Sequence, residues 1–274
     1  VIIGLFRCLK LSKLVFIGLG LWNEYDLTLR GLEEARKADK IYAEFYTSLM
    51  GGLNLKNLEK LVGKKINVLS RREVEENPHE SILRDAQEGY VAFLVPGDPL
   101  ISTTHVDLRL RAINMGIDTK IVHAASILSA APSVCGLANY KFGNSVSIPF
   151  PEANYFPESP YLVVRKNRLR GLHTLVYLDI RADISRYMTV KEGLEFLNYF
   201  DSKKRRQVLK EAVLVGIARA GSPEPLVKAG FLEDLISFDF GSPPHILIVT
   251  GKLHFKEAEA LVKLAGAPKM ILER

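Results

Sequence analysis

The sequence predicts an α/β fold divided into two domains, and three observations carry that prediction. Short, almost wholly apolar runs, with 90–95 and 212–218 the clearest, alternate with stretches of helical periodicity, the pattern of buried strands covered by helices. Early runs stop at turn-forming residues, Gly18-Leu19-Gly20 and Pro96-Gly97-Asp98-Pro99. Residues 150–160 then shift in composition toward proline, glutamate and aromatics, and 274 residues suffice for two domains of ordinary size.

Taken in order, 14–17 reads as a buried strand ending at the first glycine turn. A helix follows over 29–38, with Thr28 placed to cap its first N–H groups. A strand over 40–45, a helix over 55–61, a strand over 66–69 and a helix over 82–87 lead to the apolar strand 90–95. Residues 105–114 are helical in pattern and stop at Gly116, 119–123 is strand-like, and a helix runs over 129–137. This alternation predicts a mostly parallel sheet. Such sheets bind ligands beyond the carboxyl ends of their strands, which draws 18–22, 96–101 and 124–128 toward one cleft.

A new strand at 145–148 places the domain boundary ahead of the composition change. Residues 1–12 are read as an N-terminal extension, 13–140 as the N-terminal α/β domain and 141–274 as the C-terminal α/β domain. In the second domain the expected elements are helix 161–169, strand 174–179, helix 190–199, strand 212–218, a short helix over 225–229, strand 245–249, helix 254–265 and an edge strand at 270–272.

Composition bounds the function. No apolar run approaches the roughly 20 residues that span a bilayer, so no membrane partner is expected. Residues 1–6 are apolar and Arg7 follows, the reverse of the order in a secretory signal. Cys8 and Cys135 are far apart and form no CxxC, which points to a reducing cytoplasm. The six histidines show no HxH, HExxH or Cys/His spacing, so no metal is expected. The net charge of +6 lies largely in the second half, at Arg165, Lys166, Arg168, Arg170 and 203–206. Such a surface either guides an acidic partner or is plain solvated surface. The 203–206 run lacks the interleaved aromatics of a base-stacking platform, and no stable nucleic-acid partner is expected.

The chemistry-bearing motifs each admit two readings. Gly18-Leu19-Gly20 has Asn23 where a dinucleotide fingerprint needs a third glycine, so it is either a tight turn or a cofactor contact. Asp98 sits in a turn stiffened by two prolines, where its carboxylate accepts either from a ligand's ribose or amino group or from its own turn. Ser126 and Ile127 either touch a cofactor or begin a helix. The small residues of Ala218-Arg219-Ala220-Gly221-Ser222 permit close approach of a flat ligand or tight packing, and His245 is a cleft residue or a structural histidine. No GxSxG elbow or P-loop is present.

In order, the chain contains LVFIGLGLWNEYDLTLRGLEEARKAD, AEFYTSLM, VAFLVPGDPLISTTH, IVHAASILSA, YKFG, GLHTLVYLDI, ARAGS and GSPPHILIVTGKLHFKEAEAL. Together these segments closely resemble the archaeal-type diphthine synthases of the tetrapyrrole (corrin/porphyrin) methylase superfamily, over about residues 13–273. The glycine turn and PGDP are shared broadly across the superfamily, whereas AEFYTS, YKFG and the last segment mark the branch. Thr250 stands where the pattern has proline, and Ala125 where proline or asparagine precedes the Ser-Ile pair; neither departure removes a charged group.

The resemblance implies a homodimer of subunits with two dissimilar α/β domains, S-adenosylmethionine folded in the interdomain cleft, and S-adenosylhomocysteine as its product. Carried over motif by motif, it implies cofactor contacts at Leu21, Asp98, Ile101, Ser126, Ile127, Tyr177, Ala220 and His245. The implied substrate is a histidine of elongation factor 2 that carries a 3-amino-3-carboxypropyl group, in diphthamide biosynthesis. An archaeal-type enzyme methylates its amino nitrogen repeatedly to the trimethylammonium form, and eukaryotic relatives also methylate the carboxylate. Tyr46, Asp98, Asp179 and His245 are candidates for orientation or proton handling, with none singled out as a general base. Competing readings are methylation of a corrin or porphyrin precursor on the same fold, and a catalytically silent cofactor-binding protein.

Overall fold

The structure, a computed structural model, describes residues 12–204, 207–210 and 212–273. Apart from Ser12, the expected N-terminal extension lies outside the described residues. The described chain forms two compact units, 12–47 with 53–125, and 48–52 with 126–273.

The first unit is a parallel five-stranded sheet with helices in the crossovers. Its elements are β1 (Lys13–Gly18), α1 (Leu29–Lys37), β2 (Lys40–Ala43), α2 (Leu55–Val62), β3 (Ile66–Val68), α3 (Arg71–Glu75), α4 (Ile82–Glu88), β4 (Tyr90–Val95), α5 (His105–Asn114) and β5 (Asp118–Val122). The strand order is β3-β2-β4-β1-β5. The two most apolar strands, β4 and β1, pair in register from Lys13↔Tyr90 to Gly18↔Val95 inside the sheet, where both faces are covered. Helix α1 starts where Thr28 Oγ1 accepts the Gly31 N–H at 3.0 Å. Helix α3 has no counterpart in the sequence reading, although Ser70 and Glu73 form a complete capping box at its start. Because all pairings are parallel, the turns after β1, β2, β4 and β5 emerge at one edge.

The second unit contains α6 (Ile127–Cys135), β6 (Val146–Ile148), α7 (Ser159–Leu169), β7 (Thr174–Leu178), β8 (Ile180–Arg181), β9 (Arg186–Tyr187), α8 (Val190–Lys204), β10 (Leu214–Ala218), β11 (Leu226–Gly230), α9 (Leu232–Ser237), β12 (His245–Val249) and α10 (Phe255–Ala265). Its main sheet has the order β11-β10-β12-β7-β6, antiparallel except between β6 and β7. Two expectations are corrected here. Residues 226–230 form a strand rather than a short helix, because they complete a ladder with β10 from Ala218↔Leu226 to Leu214↔Gly230, whereas a lone five-residue helix is too short to persist. Residues 269–273 form a 3-10 helix rather than an edge strand, and Ile271 packs into the core against Leu261 and Ala265.

Helix α6 belongs to the second unit. Ala131 and Cys135 share a core cluster with Leu261, and Gly136 lies so close to α10 that a Cβ there would come within 2.6 Å of Ala260 Cβ. The units therefore divide at 125/126, and 126–140 leaves the 13–140 domain drawn from sequence. No helix among the described residues is long and apolar enough to cross a membrane.

Candidate active site

In the first unit the turns after β1, β4 and β5 touch. Gly97 N–H donates to Gly20 O at 2.7 Å and Gly20 N–H to Gly97 O at 3.3 Å. Both glycines have positive φ, +81° and +70°, which glycine adopts without strain. A Cβ on Gly18 would lie 2.5 Å from Gly97 O and 2.7 Å from Ala124 Cβ, so this contact between turns depends on a missing side chain. A Cβ on Gly97 would instead meet open space. Asp26 Oδ2 holds the β1 turn by accepting the Leu21 N–H at 3.0 Å and the Trp22 N–H at 2.6 Å. Ile101 is exposed beyond the β4 turn.

Asp98 is buried, 6% exposed, at the centre of this edge. Its Oδ2 accepts from His123 Nδ1 at 2.8 Å and from the Ala124 N–H at 3.4 Å, and its Oδ1 accepts the Leu100 N–H at 3.3 Å. A carboxylate has about four acceptor positions, so about one remains for a ligand. Both sequence readings of Asp98 are thus compatible in geometry: it organises its own turn and keeps about one acceptor position.

Behind the β4 turn lies a buried cluster. His105 Nδ1 contacts Pro99 O at 3.2 Å and its Nε2 contacts Tyr46 Oη at 3.3 Å. A carbonyl only accepts, so Nδ1 carries the proton and the Tyr46 hydroxyl donates to Nε2. Burial lowers the His105 pKa and keeps the ring neutral, while burial raises that of the Tyr46 hydroxyl. Glu44 accepts the N–H groups of Tyr46 and Thr47 at 2.9 and 3.0 Å, yet burial pushes its carboxyl up to about 7. Tyr46 therefore supports the β4 turn through His105. Its hydroxyl proton is already committed.

In the second unit, Ser126 is the N-cap of α6, accepting the Leu128 N–H at 3.3 Å. Ile127, Tyr177 and Ala220 all border the core cluster that contains Leu175, Ile217 and Ile246, on one side of the sheet. The Tyr177 hydroxyl and Ser222 Oγ are buried without a hydrogen-bond partner. Such atoms are rare and costly unless a ligand or water meets them. His245 points to the opposite side. Its Nδ1 accepts the Val190 N–H at 3.3 Å, its Nε2 donates to Ser242 O at 3.2 Å, and its ring packs edge-on against Phe240. Burial lowers its pKa. With both nitrogens committed, this imidazole is unsuited to proton handling. Asp179 is equally committed, accepting the N–H groups of Phe150 at 2.8 Å and Ile180 at 2.9 Å.

The structure thus gathers Leu21, Asp98 and Ile101 at one sheet edge, and Ile127, Tyr177 and Ala220 along one face of the other sheet. Sequence reasoning passed over His123 and Glu44. The available signal was a histidine closing a strand beside the PGDP turn. Among the described residues, no group of three His, Cys, Asp or Glu side chains is placed to hold a metal ion.

Comparison with known proteins identifies the family. The family of tetrapyrrole (corrin/porphyrin) methylases matches residues 13–235. A diphthine synthase from Methanosarcina mazei is 53% identical over 265 residues, covering 95% of this chain and 98% of its own. Another from Methanocaldococcus jannaschii is 48% identical over 251 residues, covering 90% and 97%. A crystal structure of a diphthine synthase superposes with a TM-score of 0.87 at 38% identity, covering 95% of this chain and 98% of that one. With a parallel sheet edge built on Gly20, Gly97 and Asp98 and similarity along nearly its whole length, the chain belongs to the tetrapyrrole methylase family, in its diphthine synthase branch.

Proposed function

We propose that the chain is an S-adenosylmethionine-dependent diphthine synthase. It methylates, repeatedly, the amino nitrogen of the 3-amino-3-carboxypropyl-modified histidine of elongation factor 2. The observation that carries this reading is 53% identity over 95% of the chain to a protein of that name. The reading includes a cytoplasmic homodimer with S-adenosylmethionine as its cofactor.

The residues present fit that cofactor. A nucleoside needs acceptors for its hydroxyls, donors for its ring nitrogens and small residues beside a flat base. The remaining acceptor position of Asp98, the open space at Gly97, and the unpartnered hydroxyls of Tyr177 and Ser222 meet those needs. When bound, the cofactor supplies an electrophilic methyl group on sulfur. Asp98 orients the ribose, Ile101, Ile127 and Ala220 provide apolar walls that exclude water, and the Leu21 and Ser126 segments bracket the remainder. Alignment and exclusion of water are the main physical tasks in such a transfer.

The experiment is transfer from isotopically labelled S-adenosylmethionine to elongation factor 2 bearing the unmethylated precursor, read by mass spectrometry. Methyl increments on that histidine are expected. Transfer to a corrin or porphyrin precursor, with none to the factor, overturns the reading.

A further inference from the structure

We infer that His123 is the general base that takes the proton from the substrate amine, with Asp98 fixing its tautomer. The inference rests on the methyl-transfer reading above. An ammonium nitrogen has no lone pair, so the amine must lose a proton before it can attack, and the site must supply an acceptor or wait for solvent to do so.

Among the described residues, the histidines sort by what their ring nitrogens do. His105, His173 and His245 have both nitrogens hydrogen-bonded inside the protein. His254 caps α10 through Nδ1, and His79 lies in a 3-10 turn between α3 and α4. His123 differs. It follows β5 at the ligand edge of the first sheet, its side chain is 74% exposed, and its Nδ1 meets the buried Asp98 carboxylate at 2.8 Å. A carboxylate only accepts, so Nδ1 is the protonated nitrogen and Nε2 presents a lone pair to the outside. This is the carboxylate–imidazole arrangement that orients a base and stabilises the imidazolium it becomes.

Asp98 is the charged group in contact with His123. On the β1 turn, Asp26 is taken by the Leu21 and Trp22 N–H groups, and on β5, Lys120 pairs with Glu34 at 3.2 Å. The step balances simply. One N–H bond of the ammonium breaks, its electron pair stays on nitrogen as the lone pair, and the proton passes to Nε2. The exposed ring then gives that proton to water. Each methylated amine short of the quaternary form again carries an N–H, so the same exchange serves every round. A quaternary product has no such proton, and the sequence stops.

The test compares wild-type protein with His123→Asn, whose amide can still donate to Asp98 but has no Nε2, and with His123→Gln. Near neutral pH, H123N is expected to lower kcat about 10²- to 10³-fold, within the usual range for loss of a general base. Its rate should climb as pH rises and the amine ionises unaided, and added imidazole should restore part of it. Two measurements are independent of turnover. Calorimetry with S-adenosylhomocysteine should give the same affinity for wild type and H123N, and nitrogen-15 NMR of the ligand-free protein should find neutral His123 protonated at Nδ1. A wild-type pH profile in H123N, an Nε2-protonated ring, or S-adenosylhomocysteine affinity lost in step with the rate overturns the inference. Absence of transfer by the wild-type protein overturns the methyl-transfer reading and this inference together, whereas wild-type transfer with an indifferent H123N overturns the role of His123 alone.

Discussion

Asp98 is a carboxylate that organises its own turn and keeps about one acceptor position, the one proposed above for a ligand. Three internal donors fix its orientation before anything binds, so a ribose would meet a pre-set acceptor. Asp98→Ala is expected to weaken S-adenosylhomocysteine binding by roughly ten- to a hundredfold, the equivalent of about 1.5–3 kcal/mol for a hydrogen bond to a charged group. Calorimetry on the folded variant checks it, and unchanged affinity removes Asp98 from the site. Glu44 sits close behind and behaves oppositely to most carboxylates. Burial raises its folded value to about 7, above the ordinary 4.5. Its native state therefore binds the extra proton, and the stability it contributes is present below about 4.5 and is lost as pH rises through about 7. Urea titrations of wild type and Glu44→Gln should differ in pH dependence across that window; parallel curves would contradict the assignment. At this scale the sequence was partly legible. PGDP announces Asp98 because two prolines and a glycine leave the turn few shapes. Nothing local indicates that His245, preceded by prolines at a strand start, turns its ring away from Tyr177, since that depends on which side of a strand pairs with which core.

At the scale of elements, the YKFG segment and the start of α10 are tied by one buried glutamate. Glu257 accepts from the N–H groups of Ala138 at 3.0 Å and His254 at 2.8 Å and from His173 Nε2 at 3.1 Å, and it also pairs with the Lys141 ammonium. Burial acts to raise its pKa, but the His254 N–H, Lys141, the Ala138 N–H and His173 together hold it at about 2. A depressed carboxyl contributes stability that is present above the unfolded value of about 4.5 and lost as pH falls toward about 2. Glu257→Gln is expected to cost about 3 kcal/mol near neutrality by leaving Lys141 without its buried partner. Its melting temperature should converge with wild type in acid, and a constant difference down to about pH 2 would sink the idea. Thr250 belongs to the same region. Its N–H and Oγ1 both reach Val213 O, at 3.1 and 2.8 Å, so this chain has a backbone bond that the proline of the family pattern does not make. Strands β1 and β4, apolar apart from Lys13 at the start of β1, were legible because burial on both faces leaves little other composition. Strand β11 was not, because Leu226–Gly230 is chosen by its ladder partner β10 rather than by its own residues.

For the whole molecule, the fold class and the family could be read from the order of motifs along the chain, but the division between units could not. The proline-rich segment 150–160 looks like a linker, yet α6 had already joined the second core. Surface charge is the remaining long-range feature. Lys204 pairs with Glu158 at 2.7 Å and Lys203 lies over the Tyr199 ring, while Arg205 and Arg206 lie outside the described residues. Replacing Lys203 and Lys204 by serine is expected to slow capture of elongation factor 2 about three- to tenfold at low salt, with little difference at about 1 M salt, where screening extends only a few ångströms. S-adenosylhomocysteine affinity should not change. Equal capture at low salt would assign these lysines to solvated surface.

The contact between Gly20 and Gly97 has a consequence for motion. Two turns bonded to each other, with Gly18 pressed against the carbonyl of one and the methyl of Ala124, have no independent hinge. Deuterium should therefore enter the amide of Gly97 at the slow pace of the central strands, in a single protected block, rather than at the pace of a surface loop. A ligand arriving there would find a floor that is already rigid, and adjustment on binding would fall to the side chains standing on it.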